Sequence, residues 1–287
     1  MKKLLSLVFI TSIAVGAQAQ DKKFQIGLVL GPTFNWTKIQ TTKIEKNGIG
    51  NGFTIGIGGN YMFNDNVGFA SGIQFDLESF KLKYGDELST ALGDVYYAYT
   101  DTDIKKFKDG AVEDFTDTTA FQLMTRKYRS KYVTIPFFLK FQTNLIGKFK
   151  YYGKFGLRTS FLAGVRMDDE GYDADYDQAS KSFTTNSPLV RRTQENMKPV
   201  GVKKELSPIR TAIGVYGGAE WNFTGSTFLY AELGFNYGIT PQLYPESGNL
   251  VDRVQTPGSS PATYTYSNLN IKNNPQHIIE LKIGLLF

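Results

Sequence analysis

The chain has 287 residues, a formal net charge of +5, no cysteine and a single histidine, His277. Its length fits one large domain or two small ones. The absence of cysteine excludes a disulfide framework and thiolate chemistry, the lone histidine excludes a histidine-rich metal site, and the small net charge gives little reason to expect a nucleic-acid partner.

The first predicted element is an export signal. Residues 1–20 contain two lysines, an apolar run from Leu4 to about Val15 and the small-residue site Ala17-Gln18-Ala19. This order is typical of a secretory signal peptide, so we assign residues 1–19 to the signal and 20–287 to one exported domain. A membrane anchor is the alternative, but a spanning helix needs ~20 apolar residues. Export also argues against a nucleic-acid partner.

Eight segments of the exported part alternate apolar and polar side chains, which predicts strands. They are residues 24–34, 53–63, 67–78, 132–142, 149–166, 209–223, 227–239 and 277–287. In the last segment the apolar face is free of charge, and Glu280 and Lys282 lie on the opposite face. A soluble sandwich alternates too, but its strands average ~5–6 residues, and these run 11 or more.

Short and long connections alternate along these strands. Residues 64–66, 143–148 and 224–226 are short links. The four longer links are one of about 16 residues between the first two strands, and residues 84–128, 168–207 and 244–274. Outer-membrane barrels have short periplasmic turns and long extracellular loops. We therefore predict an all-β fold, an eight-stranded closed antiparallel transmembrane β-barrel over residues 20–287, in the outer membrane of a Gram-negative bacterium with both termini periplasmic.

The inward faces of the predicted strands carry charges. These are Asp76, Glu78, Lys140, Lys150, Lys154, Arg158, Arg166, Arg210, Glu220, Glu232, Glu280 and Lys282. An eight-stranded barrel is just wide enough for side chains to fill, and buried charges persist only when they are paired or hydrated. We expect a plugged lumen held by a charge network, with inward glycines leaving room for large side chains.

The outward row of the last strand has a second predicted role. Ile279, Leu281, Ile283, Leu285 and Phe287 form an alternating apolar row that ends on an aromatic. We interpret it as the signal by which the outer-membrane barrel assembly machinery recognises the chain. Aromatic residues near the strand ends, such as Trp221 and Phe63 at one end and Trp36 and Tyr237 at the other, predict two aromatic girdles.

Two segments carry a resemblance to a known family. Residues 131–144, KYVTIPFFLKFQTN, and 152–164, YGKFGLRTSFLAG, resemble consecutive strands of PorT-like outer-membrane β-barrel proteins of Bacteroidetes-type bacteria. The resemblance implies an outer-membrane barrel and, for PorT itself, an accessory role in type IX secretion. The first segment places Pro136 inside a barrel strand, where it cannot donate to the ladder, so we predict a β-bulge there.

The hypothesis that the protein is an enzyme depends on one residue. Some small barrels are lipid A deacylases or proteases that need a histidine with serine or acidic partners, and here only His277 is present, with Ser267 and Glu280 nearby in sequence. A histidine among polar loop residues is more often solvated. We therefore expect no catalytic residue and no cofactor.

Residues 168–180, DDEGYDADYDQAS, form an acidic stretch in the third long connection. Asp173, Asp175 and Asp177 are spaced like the first ligands of a calcium loop, but Gln178 stands where that loop needs glycine and no glutamate occupies its twelfth position. We expect a solvated acidic loop, with a calcium site as the alternative.

Two further stretches of the long connections are candidate contact surfaces. Tyr96, Tyr97 and Tyr99 lie beside acids in the longest one and suggest a contact for a sugar or protein, unless they pack on one another. The basic stretch 191–204 suits either the acidic stretch or lipopolysaccharide phosphates.

These features predict a monomeric, non-enzymatic barrel that acts in envelope organisation or surface binding through its loops. The expected partners are outer-membrane lipid, lipopolysaccharide, the assembly machinery and envelope or secretion proteins. The alternatives are an accessory barrel of type IX secretion, a barrel enzyme acting on lipid A or peptides, and a small channel.

Overall fold

Extended strands account for most of the chain in the computed structural model. The structure describes residues 23–41, 43–85, 94–113, 117–199, 205–244, 250–260, 263–271 and 274–287, and the predicted signal peptide lies outside them. Its strands are β1 (Phe24–Thr37), β2 (Glu45–Lys46), β3 (Gly50–Met62), β4 (Val67–Lys83), β5 (Val95–Thr100), β6 (Asp103–Ile104), β7 (Phe107–Lys108), β8 (Ala111–Val112), β9 (Thr119–Gln142), β10 (Phe149–Asp177), β11 (Ser182–Thr185), β12 (Arg191–Pro199), β13 (Ile209–Thr224), β14 (Thr227–Gly238), β15 (Val251–Gln255), β16 (Tyr264–Asn268) and β17 (Gln276–Leu286). The described residues contain no helix long and apolar enough to cross a membrane.

Eight long strands, β1, β3, β4, β9, β10, β13, β14 and β17, correspond to the eight predicted segments. Each pairs antiparallel with the next, and β17 pairs with β1, so that the order of pairing returns to its start. The all-β prediction is confirmed. Tight links join these strands at one end: Asn64 accepts hydrogen bonds from the backbone of Asn66 and Val67, and Gly147 and Gly225 adopt positive φ, which glycine tolerates without steric cost.

The two faces of each strand differ as the alternation predicts. On β17, the side chains of Ile279, Leu281 and Ile283 are 38%, 48% and 51% exposed, whereas Glu280 and Lys282 are 0% and 2% exposed. Because successive side chains of a strand point to opposite faces, an apolar outer surface and a polar interior arise together. The other ring strands likewise expose apolar side chains and bury polar ones, which is the reverse of an ordinary globular protein.

The predicted loops are wrong over much of their length. β9 and β10 have 24 and 29 residues, although ~9–11 residues suffice to span a bilayer. Their outer halves continue as a sheet to which β5, β6, β12, β15 and β16 are added. The parts of 84–128, 168–207 and 244–274 that we expected to be loops thus contain paired strands, and the acidic stretch belongs largely to β10.

The register shifts of the ladder fall at other places than Pro136. The pairing of β4 with β9 keeps one register and only lacks pairs opposite Pro136 and Ile135, so the predicted bulge at this proline is wrong. The carbonyl of Pro136 instead accepts a hydrogen bond from Ser71 at 2.8 Å. A β-bulge does occur in β10, between Leu162 and Gly164, and it changes which side chains face inward beyond that point.

Candidate functional site

The interior of the ring brings most of the predicted charge network together. Nine of the twelve predicted residues are buried: Asp76, Glu78, Lys140, Arg158, Arg210, Glu220, Glu232, Glu280 and Lys282. Lys150 and Lys154 are half-buried. Lys150 lies over the ring of Phe228, with its Nζ 5.2 Å from the ring centroid. These eleven residues therefore lie on the inward face of the ring.

The central layer of the network is built around Arg158 of β10. Its guanidinium pairs with Asp76 of β4 and, at 3.2 Å, with Glu280 of β17. Glu280 is also 2.7 Å from Lys282 Nζ and accepts a hydrogen bond from the hydroxyl of Tyr216. This layer ties strands on opposite walls of the ring through groups that are all buried.

Layers above and below use separate pairs. Towards the long connections, Arg210 contacts Glu78 at 2.6 Å and donates to Gln242 and Gln276. Towards the short turns, Lys140 pairs with Glu220 and Lys154 with Glu232. Each buried charge thus has an opposite charge within reach. Removing one partner of a pair would leave the other charge buried and uncompensated.

Bulky side chains fill the space between these pairs. The ring of Tyr216 packs edge-on against Phe138 with centroids 5.0 Å apart, and it crosses Gly234, where an added Cβ would lie 2.1 Å from the tyrosine. A cavity of about 40 Å³ remains in the lower lumen. One water needs ~10–15 Å³ on this measure, so this space can hold a few waters.

Arg166 does not belong to the network. It is exposed on the outer wall, whereas its neighbours Val165 and Met167 are buried. The bulge between Leu162 and Gly164 inserts an extra residue into β10, and a one-residue shift moves every later side chain to the other face. The prediction for Arg166 is therefore wrong.

A hydrophobic cluster closes the end of the ring nearest the long connections. Residues from all four links at this end of the ring contribute to it: Ile44 between β1 and β3, Tyr84 and Val95 between β4 and β9, Leu206 between β10 and β13, and Leu243, Leu250, Leu269 and Ile271 between β14 and β17. The extensions of the ring strands add Phe80, Leu82, Tyr128 and Met167. We call this cluster, with the polar groups buried in it, the cap.

A buried ion cluster fixes the cap. Arg126 of β9 donates to both carboxylate oxygens of Asp169 at 2.6 and 2.7 Å and to Glu205 at 2.6 Å. Tyr128 donates to Glu205, so that Tyr84, whose hydroxyl lies against that of Tyr128, is left to donate to Tyr128. The cluster joins strands β9 and β10 to the third connection.

Burial and charge act on the pKa values in this cluster. Burial alone would lower the pKa of Arg126, but the carboxylates of Asp169 and Glu205 outweigh it and raise that pKa well above its ordinary value. Burial, together with the charge of Glu205, raises the pKa of Tyr128 and of Tyr84. Arg126 therefore keeps its positive charge, and both phenols stay neutral near pH 7.

Sequence reasoning missed Arg126, Asp169 and Glu205. Arg126 falls in a segment that we treated as loop, and Asp169 was one acid among several in the acidic stretch. The alternation of β9 does continue upstream of residue 132, with Arg126, Tyr128 and Ser130 on the buried side. That continuation was the available signal, but a charged residue at an inward position gave no indication of its partners.

The predicted tyrosine surface is largely buried. Tyr96 and Tyr97 are 0% exposed because β5 pairs with β9 and both of its faces are covered, Tyr97 by the cap and Tyr96 by a second cluster around Phe183. Tyr99 is half-buried and packs 5.8 Å from Tyr97. Tyr97 and Tyr99 thus pack on one another, whereas Tyr96 packs on Phe183, and a contact surface made by all three is wrong.

The calcium candidates do not converge on one point. Asp173, Asp175 and Asp177 are alternate residues of the extended strand β10, and the described residues contain no group of three acids or histidines able to hold a metal. Asp173 pairs with Arg192 at 3.3 Å, and Asp177 accepts hydrogen bonds from Ala179 and Ser180. The structure therefore does not bring these three aspartates together as ligands of one ion.

His277 belongs to an aromatic group on the outer wall. Its ring lies 4.6 Å from Tyr237, 5.8 Å from Trp36 and 6.4 Å from Phe235. At the opposite end, the pairs Trp221–Phe223 and Tyr61–Phe63 lie near the short turns. These positions match the two predicted aromatic girdles.

The assembly row is on the outer surface, as its parity predicts. Ile279, Leu281, Ile283 and Phe287 are exposed and Leu285 is half-buried. Its recognition by the assembly machinery stays a prediction.

The sequence of the chain matches a known protein family. The profile of the outer membrane protein beta-barrel domain family matches residues 17–244. The chain belongs to this family. It is thus an outer-membrane β-barrel of a Gram-negative bacterium, which explains an apolar outer wall around a charged interior.

Several solved outer-membrane proteins are similar to this chain, at low identity and with TM-scores below 0.5. Ail, the attachment invasion locus protein of Yersinia pestis, in complex with the heparin analogue sucrose octasulfate, is 10% identical, with 92% of this chain and 99% of that chain covered and a TM-score of 0.34. OprG from Pseudomonas aeruginosa is 9% identical, with 92% and 95% covered and a TM-score of 0.40. The outer membrane protease OmpT from Escherichia coli is 12% identical, with 92% and 96% covered and a TM-score of 0.32. No curated protein matches the chain.

Proposed function

We propose that this outer-membrane barrel is a closed, non-enzymatic surface protein. In this proposal the ring of eight strands is the transmembrane barrel, both termini are periplasmic, and the cap and its added strands stand outside the cell. The observation that carries the proposal is the double closure of the lumen. Buried ion pairs such as Arg158–Asp76 fill the ring, and a hydrophobic cap built from four connections covers its end.

The non-enzymatic part of the proposal is supported by the surroundings of His277. This residue lies among Trp36, Phe235 and Tyr237 on the outer wall, whereas Glu280 is buried in the lumen against Arg158. Since the two side chains point to opposite faces of β17, they do not form an acid–base pair. A general base must lie within hydrogen-bond reach of its partner.

The proposed role is binding at the cell surface through the sheet beyond the membrane. β9 and β10 extend far past the length that a bilayer requires, and their paired additions give a rigid platform in place of mobile loops. Sites on regular elements are held more firmly than sites on loops. A structured platform of this size is consistent with adhesion or envelope organisation.

Conductance in planar bilayers tests the closed lumen. We expect the folded wild-type protein to show no steady openings, and a Tyr216→Ala variant to show small conductance steps because the ring that crosses the lumen is removed. Heat-modifiable gel migration verifies that each preparation is folded. Large, steady openings of the wild type would refute the plugged barrel and favour a channel.

A second proposal is the accessory role in type IX secretion that the PorT resemblance implies. It is favoured by the placement of the two resembling segments, which are cross-strand partners: Val133 pairs with Phe161 and Phe141 with Gly153. The resemblance therefore covers one continuous part of the wall. Secreted cargo measured in a deletion strain tests this role, and unchanged secretion would remove it.

A further inference from the structure

Five basic side chains share one area of the outer wall. This area lies just beyond the apolar belt, by which we mean the exposed apolar side chains of the ring strands. They lie on adjacent strands: Lys81 on β4, Lys127, Arg129 and Lys131 on β9, and Arg166 on β10. All occupy outward positions, since the intervening Phe80, Tyr128, Ser130, Val165 and Met167 are buried. We call this area the basic patch.

The basic patch places like charges directly opposite one another. Lys81 is the cross-strand partner of Lys127, and Arg129 is the partner of Arg166. Like charges in this arrangement destabilise a sheet. Within the described part of the chain, Arg129 alone of the five forms an ion pair with a carboxylate, that of Asp168 at 2.7 Å. Five cations thus face one acid, an arrangement that an external anion would relieve.

The patch lies directly beside the exposed apolar side chains of the ring strands. Lys131 lies opposite Leu77, which is 49% exposed on the outer wall, and Phe75 and Phe161 below it are 54% and 40% exposed. A recess of about 1200 Å³ at this level is lined by Phe34, Phe53 and Leu77 on the apolar side and by Arg129, Lys131 and Arg166 on the basic side. It combines an apolar floor with a cationic rim.

This combination fits an amphiphile whose phosphates sit at the membrane surface and whose acyl chains run down the wall. We propose that the basic patch binds the phosphate groups of the outer-leaflet glycolipid, the lipid A part of lipopolysaccharide. The inference rests on the proposed orientation, in which the extended ends of β9 and β10 are extracellular. Guanidinium groups bind phosphate through two parallel hydrogen bonds, so Arg129 and Arg166 are the expected principal contacts, with Lys131 and Lys127 completing the charge.

The bulge in β10 makes this site. Without the extra residue between Leu162 and Gly164, Arg166 would point inward with the lumen charges, and Val165 would take its place outside. The bulge therefore moves one cation from the interior to the patch, next to Arg129. Bulges are used in this way to re-aim a side chain near functional sites.

Binding to the full-length protein in detergent micelles tests the proposal, with diphosphorylated lipid A, dephosphorylated lipid A and phosphatidylglycerol as probes. We expect the wild type to prefer diphosphorylated lipid A, and the double variant Lys131→Gln/Arg166→Gln to bind it at least about tenfold more weakly, because two surface cations are lost. The matched control is Arg191→Gln/Arg192→Gln. It removes two cations of β12 that lie outside the patch and pair with Glu170 and Asp173 of the acidic stretch, so it should leave binding unchanged.

The possible outcomes distinguish a failure of the lipid A site from a folding defect and from a failure of the proposed function. Equal loss in the control and patch variants, or no loss in either, would overturn the assignment, and equal binding of phosphatidylglycerol would show an unspecific anion surface. Heat-modifiable migration of every variant reports folding independently. The conductance test of the closed lumen does not depend on lipid A, so either proposal can fail alone.

Discussion

Arg158 and Glu280 meet across the interior of the barrel, with Nη2 3.2 Å from Oε1, although β13 and β14 separate their strands along the ring. The pair therefore connects two walls that share no backbone hydrogen bond. Arg158 is also held by Asp76, and Glu280 by Lys282 and Tyr216. Loss of either side chain affects three or four strands at once.

Glu280→Leu should destabilise the barrel. The substitution leaves Arg158 and Lys282 with less compensating charge in a buried layer, and breaking such a pair costs about 3–5 kcal/mol. Urea unfolding in detergent, followed by heat-modifiable migration, measures the effect. The control Ile279→Leu changes the adjacent outward residue and should be nearly neutral, and an equal stability of the two variants would refute the pairing.

Arg126→Met should loosen the cap and spare the barrel. Asp169 and Glu205 would lose their shared partner while still buried, again at a cost of about 3–5 kcal/mol. We expect faster proteolysis within the long connections and unchanged heat-modifiable migration. Arg192→Met removes an exposed pair with Asp173, which is worth only about 0–1 kcal/mol, and it should leave the proteolysis rate as in the wild type. Unchanged proteolysis of the Arg126 variant would contradict the role of the ion cluster.

The ring strands could be predicted because two environments act on alternate residues. Ile279 and Leu281 must meet lipid, and Glu280 and Lys282 can only face a polar interior, so the sequence of β17 itself defines both faces. The same argument located the other seven segments. It gave the inward positions of Arg158 and Asp76, but their pairing depends on which strands lie opposite, and a single sequence does not reveal this.

Two features escaped prediction for physical reasons. The bulge before Gly164 changes the parity of β10 by one residue. A glycine inside a strand can mark a bulge, but glycines occur in most of the ring segments, so Gly164 alone does not single out this position. The cap depends on contacts between Ile44, Tyr84, Leu206 and Leu250, which come from four separate connections. Each connection alone looks polar and loop-like, because its few apolar residues gain burial only when all four assemble.

Alkaline pH should weaken the cap. Burial raises the pKa of Tyr84 and Tyr128 in the folded protein above the ordinary value of 10.0, so folding opposes their ionisation. Their contribution is fully present below about pH 10 and is lost as the pH rises through the folded pKa values. Proteolysis of the long connections against pH, compared between wild type and Tyr84→Phe, should show a weaker alkaline dependence in the variant. Identical pH profiles would contradict this linkage.

Cysteine labelling tests the bulge directly. The described chain contains no cysteine, and the full sequence has none, so each substitution gives a single reactive thiol. Arg166→Cys should react with a membrane-impermeant maleimide on intact cells, because residue 166 is exposed on the outer wall beyond the apolar belt. Met167→Cys is the matched control, since Met167 is 0% exposed, and it should react only after unfolding. Labelling at 167 and protection at 166 would mean that β10 keeps its parity, which would remove Arg166 from the basic patch and return it to the lumen.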